Sequence, residues 1–138
     1  QKKLFLGNIN AKRDWGHAQD FVEAQWLILQ QKKPDDYVIA TGEQHSVKEF
    51  INIAAKYLDM RIYWKGSGIK EKGFNENGKV IIECSKKYFR PAEVETLLGN
   101  PKKARKLLKW KPKITFKKLV SEMVESDFSK LEKLSKFN

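Results

Sequence analysis

Two hydrophobic periods alternate along the first part of the chain. A short apolar run, Leu4-Phe5-Leu6, stops at Gly7 and Asn8 and predicts a strand. From residue 17 to 30 the apolar positions Ala18, Phe21, Val22, Trp26 and Leu29 recur at three- and four-residue steps, which predicts an amphipathic helix. Asp14 is its expected N-cap. Pro34 cannot continue a helix, so residues 32–36 are a turn. Tyr37 to Thr41 form a nearly continuous apolar run, as in a strand covered on both faces. Ser46 and Glu49 then stand at capping-box spacing. They open a helix to about Leu58 that carries Val47, Phe50, Ile51, Ala54 and Ala55 on one face. Residues 4–58 therefore spell strand, helix, strand, helix, an α/β rhythm.

The pattern changes after residue 60. Met60–Gly66 and Lys79–Cys84 are strand-like and flank a long loop, residues 67–77, so a hairpin or a strand–loop–strand excursion is expected. Asn77-Gly78 favours positive φ and a tight turn. Residues 90–99 read as a short helix, with Pro91 first and Gly99 at the C-terminal cap. Asn100 and Pro101 start another. Thr115 caps a long final helix striped by Phe116, Leu119, Val120, Met123, Val124, Phe128, Leu131 and Leu134.

The length of 138 residues is about one domain's worth. No apolar run is long enough for a transmembrane helix, and the basic start lacks a signal-peptide core. Cys84 is alone, so no internal disulfide is possible; it reads as a small buried apolar residue in a reducing compartment.

Net charge is +11, and its distribution changes the picture. Residues 1–60 carry 8 basic and 8 acidic side chains, while residues 61–138 carry 20 and 9. Residues 101–118 hold nine cations and no acid. That could attract nucleic acid or an anionic membrane. The basic total is 24 Lys and only 4 Arg, however, and nucleic-acid readers lean on Arg for bidentate contacts. Leu107, Leu108, Trp110 and Ile114 thread the segment, which favours packing over a free basic tail. A solvated face is the preferred reading.

With so few Arg, each one is informative. Arg13 lies with Asp14, Trp15 and His17 just ahead of a helix. A guanidinium there can grip a phosphate near free helix amides. The competing reading is a structural Arg–Asp pair with a core Trp. Arg90 precedes Pro91, with Glu93 three residues on. Arg90 could hold a phosphate and Glu93 a hydroxyl or base amide; alternatively both are ordinary surface residues at a helix start. His17 and His45 have no ligand-spaced Cys or carboxylate, so no metal site is expected. There is no G-x-G-x-x-G, no Walker loop, no G-x-S-x-G and no Tyr with Lys four residues later.

The segments "KRDWGHA", "DDYVIATGE", "YFRPAEV" and "LLKWKP" closely resemble, in order and over nearly all of the chain, the C-terminal part of the GDP-mannose 4,6-dehydratase family. Lys109 is a local departure, standing where that family usually has Gly before the Trp. The resemblance implies an α/β fold: the C-terminal portion of an extended Rossmann-type dehydrogenase/reductase. Residues 1–60 would pack partly on the NADP-binding domain's sheet, and residues 61–138 would form a smaller mixed α/β substrate-binding domain. The family oxidises the sugar at C4 with NADP, eliminates water across C5–C6 and returns the hydride to C6. The product, GDP-4-keto-6-deoxymannose, leads to GDP-fucose and other deoxyhexoses.

The resemblance further implies that Arg13 and Arg90 contact the diphosphate and ribose region of GDP-mannose and that Glu93 binds a nucleotide hydroxyl. Asp14, Trp15 and His17 support that loop. The dinucleotide-binding glycines and the catalytic Tyr and Lys belong upstream. This chain alone is therefore expected to hold no catalytic residue, to be inactive, and to expose apolar surface at Trp26, Val38 and Ile39. A cytoplasmic homo-oligomer, dimer or tetramer, with no nucleic-acid or membrane partner is expected of the whole enzyme. The rival readings are another nucleotide-sugar dehydratase or epimerase of the same group, and a non-catalytic basic nucleic-acid-binding module.

Overall fold

The computed structural model describes residues 2–90 and 94–135. The chain divides into two compact units, residues 1–12 with 46–96 and residues 13–45 with 97–138. The sequence reading divides it instead at residue 60. The units are discontinuous because β1 (Leu4–Leu6) pairs in parallel with β6 (Val80–Cys84), Leu4 opposite Ile82, which ties the start of the chain to its middle.

The first unit is built on a four-stranded sheet in the order β1-β6-β5-β4. β4 is Tyr63–Lys65 and β5 is Lys72–Phe74; β4, β5 and β6 run antiparallel in succession. The expected single excursion therefore contains an extra strand. Gly73 lies at its centre and hides it from a hydrophobic-pattern reading, because a glycine adds no apolar side chain. A Cβ there would meet Ile82, Ile62 and Trp64 at 3.1–3.2 Å, so the bare backbone is what fits the crowded sheet face. The turn at Asn77-Gly78 forms as expected, with Gly78 at φ +71° and its amide donating to the Asn75 carbonyl.

Helix α2 (Val47–Tyr57) opens with a complete capping box between Ser46 and Glu49. It closes with Asp59 at φ +55°, the Asp59 amide on the Lys56 carbonyl and the Met60 amide on the Ala55 carbonyl, the Schellman arrangement. Ile9, Ala55, Ile82 and Cys84 are buried in this unit.

The second unit packs α1 (Ala18–Leu29), α3 (Lys102–Leu107) and α4 (Phe116–Ser135) with their connecting loops. Its core joins Ala24, Ala104, Leu108 and Trp110, with Phe21, Leu27, Ile28, Tyr37 and Ile39 packed around them. The Trp110 indole donates to the Asp20 carbonyl at 2.9 Å. The buried Asp20 carboxylate receives the amides of Lys113 and Ile114, which fastens the loop ahead of α4. Pro101, not Asn100, is the N-cap residue of α3; the side chain of Asn100, one position earlier, accepts from the Lys102 amide, and Thr115 caps α4 through the Lys118 amide.

Three short strands, β2 (Lys12–Arg13), β3 (His45–Ser46) and β7 (Thr96–Leu97), make a second sheet in the order β3-β2-β7.

Four expectations are corrected. Residues 37–41 are not assigned to a strand, since no described strand pairs with them. The helix expected over 90–99 is absent where it is described: Thr96–Leu97 pair as β7, and the Lys12 amide takes the Glu95 carbonyl at 2.8 Å, so tertiary pairing overrides local helix grammar. Its first turn, Pro91 to Glu93, lies outside the described residues. The face of α1 turned to the core carries Ala24, Phe21, Leu27 and Ile28, while Val22, Trp26 and Leu29 stay exposed. The helix is apolar on two sides. Val38 is exposed as expected, whereas Ile39 is half-buried against the core.

Candidate functional site

The second unit carries the Arg13 cluster. Arg13 is half-buried and lines a groove of about 420 Å³ with Phe21, Val38, Ile39, Leu97 and Gly99. The groove floor needs Gly99: a Cβ there would fall 2.2 Å from the Ala40 Cβ. The groove thus combines apolar walls with a guanidinium, a pairing suited to an organic anion.

Asp14 does not cap α1. Its Oδ1 accepts from the Thr41 amide and hydroxyl at 2.8 and 2.6 Å, and its Oδ2 from the Gly42 amide at 2.9 Å. The N-cap is His17, whose Nδ1 accepts from the Gln19 amide at 3.1 Å. The correction follows from reach: Asp14 sits four residues before the first helical residue, and the Thr41-Gly42 turn offers it three donors at once. His17 Nε2 faces the Glu122 carboxylate at 3.3 Å. Trp15 donates from its indole to the His45 carbonyl at 3.0 Å and lies 6.2 Å, centroid to centroid, from Phe116. Trp15 and His17 are therefore both held by contacts within this unit.

A second cleft in the same unit, about 320 Å³, is lined by Trp15, Thr41, His45, Arg105, Lys111 and Phe116 among others. The His45 and Phe116 rings stack at 4.0 Å, 3° from parallel. Arg105 donates to the Thr41 carbonyl at 2.7 Å. Thr41, Gly42 and Arg105 were not singled out by the sequence reading. The signals were there: Arg105 is one of only four Arg, and Thr41-Gly42 ends an apolar run.

Arg90 belongs to the first unit and is exposed. It follows a turn in which the Tyr88 and Phe89 amides both donate to the Ser85 carbonyl, while the Ser85 amide donates to the Leu6 carbonyl. Glu93 lies outside the described residues. Also in this unit is a buried cluster that sequence reasoning missed. The Glu71 carboxylate, 5% exposed, receives the Lys48 ammonium and the Asn10 amide group. Burial pushes Glu71 upward, but the Lys48 and Asn10 hydrogen bonds and the Lys48 charge outweigh it and hold the carboxyl below its ordinary value. Burial and the Glu71 charge raise the neighbouring Cys84 thiol, which is buried as its reading as a core residue expects.

Among the described residues no group of three His, Cys, Asp or Glu is placed to hold a metal ion, and no helix is long and apolar enough to cross a membrane.

A family model described as GDP-mannose 4,6 dehydratase matches residues 1–123. The chain belongs to the GDP-mannose 4,6-dehydratase family. The GDP-mannose 4,6 dehydratase of Dictyostelium discoideum is 56% identical over 136 residues, covering 98% of this chain and 38% of that protein. GDP-mannose 4,6 dehydratase 2 of Caenorhabditis elegans is 56% identical over 132 residues, covering 96% and 35%. Among solved structures, RMD from Pseudomonas aeruginosa complexed with NADPH matches at a TM-score of 0.67 with 20% identity, covering 90% of this chain and 35% of that one. That likeness concerns the fold alone, a mixed α/β arrangement. This dehydratase-family chain spans little more than a third of the length of the relatives it matches.

Proposed function

We propose that the chain is the nucleotide-sugar-binding half of a GDP-mannose 4,6-dehydratase, a lyase that converts GDP-mannose to GDP-4-keto-6-deoxymannose and water. The family match over residues 1–123 carries the reading. Arg13 and Arg90 supply permanent charge and paired donors to the diphosphate and ribose region, and Glu93 accepts from a nucleotide hydroxyl. Asp14, Trp15 and His17 hold the Arg13 loop through the hydrogen bonds described above.

NADP, as hydride carrier, supplies the redox chemistry of the whole enzyme. The residues of this chain do not fit it. Gly7 follows β1, but a Cβ there would lie 2.3 Å from the Tyr88 carbonyl oxygen, so its bareness accommodates the chain and not a pyrophosphate. The cofactor and the catalytic Tyr and Lys are assigned to the part of the enzyme outside this chain, and this chain alone is inactive. Residues 1–60 contribute packing to that part, and its cover accounts for the exposed Trp26 and Val38. The whole enzyme is a cytoplasmic homo-oligomer.

Burial of Leu108, Trp110 and Phe116 supports packing of residues 101–118 over a free nucleic-acid-binding tail. The test is turnover of GDP-mannose with NADP by the full-length protein. Arg90→Ala is expected to weaken GDP-mannose binding by about 1.5–3 kcal/mol, the scale of a charged hydrogen bond. Wild-type protein inert to GDP-mannose overturns the function, and unchanged binding by the variant overturns the role of Arg90.

A further inference from the structure

We propose that Arg105, on α3, is a positioning residue for the Arg13 loop, acting through Thr41 and Asp14. The inference rests on the reading of Arg13 as a phosphate grip. Arg13 is covalently next to Asp14, so whatever fixes the backbone of Asp14 fixes the base from which the guanidinium reaches. Both oxygens of the Asp14 carboxylate are engaged by consecutive residues, Oδ1 by Thr41 and Oδ2 by Gly42. A carboxylate held by three charge-assisted donors cannot swing without losing them.

The Thr41-Gly42 turn must itself be held. It follows residues 37–41, which gain no strand pairing among the described residues. Gly42 stands at φ +81°, and the Thr41 carbonyl points to the Arg105 guanidinium, whose Nη2 donates at 2.7 Å. A Cβ on Gly42 would lie 3.3 Å from the same nitrogen and 3.5 Å from the Pro101 ring, so the guanidinium lies directly against the turn. The other end of Arg105 is rigid. Its amide donates to the Pro101 carbonyl at 2.9 Å, and its neighbours Ala104, on α3, and Leu108, the C-cap, are 0% and 5% exposed in the core. One continuous chain of contacts thus runs from the core through α3, Arg105, Thr41 and Asp14 to Arg13.

Arg105 acts at a remove from the reacting sugar, so its loss costs order in the binding loop and not chemistry. The experiment uses the full-length protein. Arg105→Gln is expected to raise KM for GDP-mannose about three- to tenfold with kcat nearly unchanged, the scale of one lost hydrogen bond. Arg105→Lys, which keeps a charged donor within reach of the carbonyl, restores most of it. Asp14→Asn and Arg105→Gln act in series, so the double variant is no worse in KM than Asp14→Asn alone. Hydrogen exchange in the ligand-free protein accelerates at the Thr41 and Gly42 amides in Arg105→Gln and not in Arg105→Lys.

Wild-type KM with unchanged exchange, additive KM effects, or equal losses in kcat and KM overturn the proposal. If Arg105→Gln does not fold, Thr41→Val removes one Asp14 contact within the same relay and is held to the same KM and exchange criteria. Wild-type protein inert to GDP-mannose defeats the functional reading. A working wild type with unmoved variants defeats the positioning role alone.

Discussion

Asp14 accepts from both the amide and the hydroxyl of Thr41, and its second oxygen takes the amide of Gly42. The turn that presents these donors depends on Gly42 adopting φ +81°. Gly42→Ala forces an L side chain into the left-handed region and toward Arg105. It is expected to cost about 1–2 kcal/mol, measured as a shift of the urea midpoint of the full-length protein. A midpoint equal to wild type would show that the turn relaxes freely.

Lys109 offers the opposite experiment. It follows the C-cap of α3, Leu108, and sits at φ +56°, the position and conformation in which helices prefer glycine. Lys109→Gly relieves the strain while adding disorder to the unfolded chain. A net gain of about 0.5–1 kcal/mol is expected. A lowered melting temperature would contradict it. The departure noted at Lys109 in the sequence therefore falls at a position of positive φ.

The Glu71–Lys48–Asn10 cluster sets a pH dependence. The folded-state pKa of Glu71 lies below its ordinary value of 4.5. Its contribution to stability is thus fully present above pH 4.5 and is lost as pH falls below that through the depressed value. Glu71→Gln is expected to flatten stability against pH over that acid window, as read from denaturant midpoints. Lys48→Met leaves the carboxylate buried with only Asn10. Because the Lys48 side chain is 29% exposed, its cost at pH 7 should fall below the roughly 3–5 kcal/mol of a fully buried broken pair.

His17 caps α1 with an imidazole nitrogen where a hydroxyl or carboxylate is usual. His17→Ala is expected to lose about 1 kcal/mol, and His17→Asn, which keeps a short acceptor, to recover most of it. Thermal melts of the full-length protein decide this. Equal melting of the two variants would place the value of His17 in its contact with Glu122 instead.

These cases show where the chain was legible. Local chemistry was: Ser46 with Glu49, Asn77 with Gly78, and Thr115 before α4 each form what their spacing predicts, because every partner lies within four residues. Long-range pairing was not. Residues 37–41 have strand composition, yet a strand exists only beside another edge. Thr96 and Leu97 sit in helical grammar but join β7. Asp14 has the chemistry of an N-cap, and only the fold reveals that Thr41 and Gly42, 27 and 28 residues away, bid higher. In the candidate site, Arg13 was visible as an unusual residue in an unusual setting. Arg105 was hidden among nine cations whose pattern says nothing about which one meets a carbonyl.

The interleaving of the two units orders their birth on the ribosome. The first unit has all its strands once β6 and the residues to 96 have emerged. The second cannot bury Ala24 until Leu108 and Trp110 arrive, and it waits longer still for Phe116 and Val120 of α4. α1 is therefore made early and must remain without its core while about eighty residues are added, several seconds at ordinary rates of synthesis. Through that interval the side of α1 that carries Phe21, Ala24 and Ile28 has no partner from its own unit.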